Sequence, residues 1–106
     1  MTPTDPRIAA AVQAASQLRE LVLREAPRGF RFAWADRLRQ MLDILATDDD
    51  PAEVLTYAAL TLDRMYAGGR NFADFSIYRA DRAEMLAENE KLTALITELR
   101  RLLHGN

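Results

Sequence analysis

The sequence predicts an all-α fold: a single domain (1–106) of four mostly antiparallel helices with one irregular loop at about residues 67–80. Apolar residues recur at spacings of three and four through four stretches, as one face of a helix requires. Asp-Pro pairs stand where two of those stretches begin, and the connections other than 67–80 are short, which favours antiparallel neighbours. A chain of 106 residues buries roughly two thirds of the surface it exposes when unfolded, enough for a core without disulfides or metal.

The first helix is expected to start at Asp5-Pro6, with Asp5 as N-cap and Pro6 at a position where its missing N–H costs nothing. Ile8, Ala11, Val12, Ala15, Leu18 and Val22 form its apolar face, and Pro27 and Gly29 end it. The second carries Trp34, Leu38, Met41, Leu42 and Leu45, with Phe30 and Phe32 ahead of it as a hydrophobic staple. Asp48-Asp49-Asp50-Pro51 stops that helix and starts the third, with Asp50 as N-cap and Glu53 completing a capping box. Val54, Leu55, Ala58, Leu62 and Met65 face the core, and Gly68 is the expected left-handed residue at the end. The fourth starts near Asp81, with Glu84 three residues on, and its seam is Met85, Asn89, Leu92, Ile96, Leu99 and Leu103. Running to about His104, it would be about 35 Å long at 1.5 Å per residue, so part of it overhangs the bundle or covers the loop.

Composition narrows the chemistry. The formal net charge is −2, which argues against a general polyanion binder. The absence of cysteine removes disulfides, thiolate nucleophiles and Cys-based metal sites. Without an apolar run of about 18 residues or a signal-like start, no membrane contact is expected, and a cytoplasmic location is. His104, the only histidine, lies near the end of the chain, so no His-based triad or His-rich metal site can be assembled. Asp48, Asp49 and Asp50 lack the alternating oxygens and distal Glu of a calcium loop, and capping accounts for them. The expectation is a protein that is not an enzyme and holds no cofactor or metal.

The stretch 66–78, YAGGRNFADFSIY, is the most distinctive. Gly68 and Gly69 follow a helix instead of preceding one, with no phosphate-binding pattern, and read as loop-structuring residues. Phe75 and Ile77 could share one side of an extended segment, with Ser76 and Tyr78 on the other. Alternatively Asn71 caps a helical turn whose face holds Phe72 and Phe75. Either arrangement docks two aromatics on the core. As a binding surface the same stretch offers Tyr66, Arg70, Phe72, Asp74 and Tyr78. Asn89, a carboxamide in an apolar seam, must find partners, and the nearest backbone in need of them is this loop; the alternative is that it lies at a solvent-facing edge of the seam.

Residues 65–77 (MYAGGRNFADFSI), with Glu88-Asn89-Glu90-Lys91-Leu92 in the leucine-rich helix beyond, resemble a family of small, uncharacterised bacterial all-helical proteins. In that family a Tyr-x-Gly-Gly-x-x-Phe-x-Asp loop precedes an Asn-x-x-Leu helix. The resemblance covers about residues 34–103; Arg70-Asn71 stands where the family carries a small Gly-Ser-like pair. It implies a helical fold and no particular activity. Small acidic helical proteins of this kind look like immunity proteins of toxin systems, by analogy.

The expected function is therefore protein–protein interaction with an unidentified partner, of immunity or antitoxin type in one form. A homodimer through the C-terminal helix is the alternative. Weak nucleic-acid binding by the arginine-rich segment 19–39 is a further one, opposed by the acidic balance of residues 46–106.

Overall fold

The computed structural model describes residues 5–68 and 71–105. Four helices follow in order: α1 (Pro6–Glu25), α2 (Arg28–Leu45), α3 (Pro51–Arg64) and α4 (Arg82–His104), with a single 3₁₀ turn (Phe72–Asp74) ahead of α4. Among the described residues there is no strand.

Local chemistry sets most helix boundaries. The Asp5 carboxylate accepts from the backbone N–H groups of Arg7 at 2.8 Å and Ile8 at 3.4 Å, and Pro6 opens α1. Asp50 accepts from Glu53 N–H at 3.3 Å, and Asp81 from Glu84 N–H at 2.8 Å. Each satisfies at least one of the N–H groups that a helix start leaves without a partner. At the Asp81 end the Glu84 carboxylate lies 3.3 Å from Arg79. The break after α1 is shorter than the sequence suggests. Ala26 and Pro27 alone carry it, and Gly29 lies inside the first turn of α2. There Pro27 supplies only its carbonyl, which accepts from Phe30 N–H at 3.0 Å and Arg31 N–H at 2.9 Å. Phe30 packs against the core, but Phe32 is 73% exposed and forms no staple.

Each helix packs on its neighbours in sequence, and α4 returns against α1. Arg7, near the start of α1, donates to the Leu102 carbonyl near the end of α4, while Glu25 at the other end of α1 meets Arg79 just before α4. The two helices are therefore antiparallel. So are α1 and α2, where Arg19 donates to the Ala35 carbonyl at 3.2 Å. Leu18, Val22, Leu38, Met41, Leu62 and Leu99 fill the centre.

The end of α3 does not lie beside the start of α4, as it would in a simple up-and-down bundle. Asp63 sits 4.0 Å from His104, and the Arg100 guanidinium lies 4.9 Å from the Tyr66 ring centroid. At 1.5 Å per residue, Arg100 is about 27 Å along α4 from Arg82. The connection must run back over that distance, which explains its length. It lies against α4 as it goes, so the long helix covers the loop: Leu92, Leu99 and Leu103 of its seam are buried within the chain, while Met85, Asn89 and Ile96 are half-buried.

Candidate functional site

The connection begins where α3 tightens. Met65, Tyr66 and Ala67 N–H groups bond three residues back, at 3.0, 3.0 and 3.3 Å. Gly68 has φ +95°, a conformation that favours glycine, but it sits three residues beyond the Met65 cap instead of closing α3 itself. The left-handed helix closure belongs to Gly105, at the end of α4. Gly69 and Arg70 lie outside the described residues.

Asn71 then rebuilds order. Its side chain accepts from Ala73 N–H at 2.9 Å and donates to the Gly68 carbonyl at 3.0 Å, while the Asp74 carboxylate accepts from Asn71 N–H at 3.3 Å. This is a capping box around a single 3₁₀ turn. Phe72 N–H donates to the Met65 carbonyl at 2.8 Å and closes the loop on itself. Beyond the turn Phe75 is extended, and burial alternates along the residues that follow: Phe75 and Ile77 inward, Ser76 and Tyr78 outward. Both sequence-level pictures of this stretch are thus realised, one after the other.

The inward aromatics meet rings from α2 and from the turn after α3. Trp34 stacks on Phe30 at 5.2 Å and contacts Phe72 at 5.3 Å and Phe75 at 5.6 Å. Tyr66 meets Phe72 edge-on at 5.7 Å. Such pairs contribute about 0.5–1.5 kcal/mol each beyond area burial. Trp34 is a core residue, as its periodicity predicts, yet nothing in the sequence places it under the loop.

Two polar contacts fix the extended part. Asn89 Oδ1 accepts from Ile77 N–H, and its Nδ2 donates to the carbonyls of Ile77 and Met85, all at 2.8 Å. Two residues on, Arg79 grips both Glu25 carboxylate oxygens, at 3.0 and 2.5 Å. The hydrogen bonds and charge of Arg79 outweigh partial burial and hold the Glu25 carboxyl below the ordinary glutamate range. Asp36 and Glu98 are displaced in the same direction by Arg39 and Arg101. These are ion-paired carboxylates, not carboxyls raised toward neutrality as a general acid would be.

The candidate binding residues separate. Phe72 is 1% exposed, which removes it from any surface contact and makes it core. Tyr66 is half-buried beneath Arg100. Asp74 is exposed, with one carboxylate oxygen engaged in the capping box. Tyr78 is 79% exposed. Beside Asp74 and Asn71 lies a cleft of about 400 Å³ whose wall includes Phe30 and Trp34.

Arginines in 19–39 are largely tied within the chain: Arg19 and Arg31 to backbone carbonyls, Arg39 to Asp36 and Asp43, Arg37 to Gln40. Among the described residues no group of three or more His, Asp or Glu could hold a metal ion, and no helix is long and apolar enough to cross a membrane. Sequence reading overlooked the outer side of α3, where Tyr57 is 59% and Leu60 46% exposed. The signal was present, because residues 54–62 contain no charge. The chain matches no protein-family model, no curated protein and no solved structure.

Proposed function

We propose that this protein is a non-enzymatic interaction module that binds another protein through the 67–80 connection, with Tyr78 as its anchor. One observation carries the reading. Tyr78 is 79% exposed, yet the residues on either side of it are held, Ile77 by Asn89 and Arg79 by Glu25. An aromatic on a backbone already ordered can be buried by a partner at little entropic cost, and tyrosine is among the side chains that dominate interface energies. Asp74 supplies a neighbouring carboxylate, and the acidic balance of residues 46–106 favours a partner carrying basic groups. Occlusion of a toxin's working surface, as by an immunity or antitoxin protein, is one form this activity would take. The resemblance of the loop to small bacterial helical proteins belongs to the same proposal.

The test is capture from host extract with wild-type and Tyr78→Ala protein, read by mass spectrometry. One protein should be retained by the wild type and reduced about tenfold or more by the variant, as for an interface hot spot. A wild-type chain that runs alone at native concentration, or a partner held equally by both, overturns the reading.

A further inference from the structure

The outer side of α3 departs from what an exposed helix face requires. A helix at the surface normally carries charge opposite its buried stripe. Here the core side is Val54, Leu55, Ala58 and Leu62, while the other side shows Tyr57 and Leu60, three residues apart and both exposed. Thr61 is buried, its hydroxyl turned back to the Tyr57 carbonyl at 3.1 Å, so it adds no polar group to that face. With Ile44 at the end of α2 and Thr47 just beyond it, Val54, Tyr57, Leu60 and Thr61 line a mostly apolar groove of about 270 Å³. Its charged members are Asp49 and Arg64. Neither has an ion partner within 4.0 Å among the described residues.

The order of charges along this face is self-complementary. Asp49 and Glu53 stand at the start of α3 and Arg64 at its end, where the neighbouring Asp63 is turned to His104 at 4.0 Å. A second copy laid antiparallel across the groove brings Leu60 of each copy onto Tyr57 of the other. The same two-fold operation brings Arg64 of each against the acidic start of the other's α3. A two-fold contact demands this kind of reciprocity, in which residue i meets j and j meets i. Parallel packing would set like charges together at both ends.

We infer that α3 is a homodimerisation surface, with two copies packed antiparallel through Tyr57 and Leu60 and aligned by Arg64 against Asp49 and Glu53. It is a different face from the loop and does not depend on how the loop is used. α3 offers about 21 Å of helix at 1.5 Å per residue. A contact confined to one short helix belongs at the small end of interfaces, which typically bury about 800 Å² per partner, so dimerisation is expected to be reversible and concentration-dependent.

Sedimentation of the wild-type chain from roughly 10 μM to 1 mM should show the average mass rising from one chain toward two, as mass action requires. Leu60→Glu, at an exposed position, should leave the fold intact by circular dichroism and weaken association about tenfold or more by setting a charge into the apolar centre. Arg64→Glu and Glu53→Arg should each weaken self-association, because each places like charges at both ends. Mixing these two variants should restore dimers, since the mixed pair has opposite charges at both ends. A wild type that stays monomeric throughout, or a dimer unaffected by Leu60→Glu, overturns the inference. So does a mixture that associates no better than its components, which would exclude the antiparallel alignment.

Discussion

Asn89 gives Ile77 with one side chain the two backbone hydrogen bonds that an adjacent strand would otherwise supply. Replacing it by Leu leaves Ile77 N–H and C=O without those partners in a half-buried setting, at a cost of about 1–3 kcal/mol. Asn89→Leu should therefore lower the denaturation midpoint and speed amide exchange at residues 71–78; unchanged exchange there would show that the clamp does not hold the loop. Glu25 gives a prediction in pH. Its carboxyl stays ionised in the folded chain below the ordinary glutamate value of 4.5, so the unfolded state binds more protons in that range. The contribution of the Arg79 pair is complete above that value and is lost as pH falls through the lowered one. Glu25→Gln should thus be less stable than wild type at neutral pH, with the difference shrinking below 4.5 in thermal melts taken across pH. The two residues differ in legibility. A carboxamide inside an apolar seam announces a need for partners, and the sequence is enough to point it at the loop. Glu25 and Arg79 are 54 residues apart, and no local pattern links two ordinary charges over that separation.

Helix starts are written in short-range chemistry. Asp5-Pro6, Asp50-Pro51 and Asp81 each cap the helix that follows, because a carboxylate two or three residues from an open N–H needs no tertiary help. The start of α2 has no such mark, since Pro27 offers no side-chain oxygen, and there Gly29 falls inside the helix and Phe32 faces solvent, against expectation. At the loop the elements meet through Phe72. Phe72→Ala should cost about 3–5 kcal/mol by opening a cavity among Trp34, Tyr66 and Phe75. That is a large share of a small domain's stability, and equilibrium denaturation will measure it. Gly68 tests backbone strain alone. A Cβ there meets nothing within 4 Å, but φ is +95°. Gly68→Ala should therefore destabilise by about 1–2 kcal/mol, the penalty for a left-handed alanine, without disturbing packing.

At the level of the whole chain, what the sequence could not provide was the relation of α3 to α4. Helix periodicity says which faces are buried but not where along a neighbour they settle. The tail-to-tail meeting of Asp63 with His104 has no signature within either helix. The long connection was legible as irregular, and its cause only becomes clear once it is seen returning along α4. Tyr78→Ala should leave global stability within about 0.5 kcal/mol of wild type, as substitutions at exposed sites do, and so separate binding from folding in the same melts. Trp34, the sole tryptophan, touches the loop through Phe72 and Phe75 and sits almost entirely out of solvent. Its fluorescence is thereby a built-in gauge of whether that strap is seated: emission should move to longer wavelength when the strap lifts, even while the four rods remain coiled.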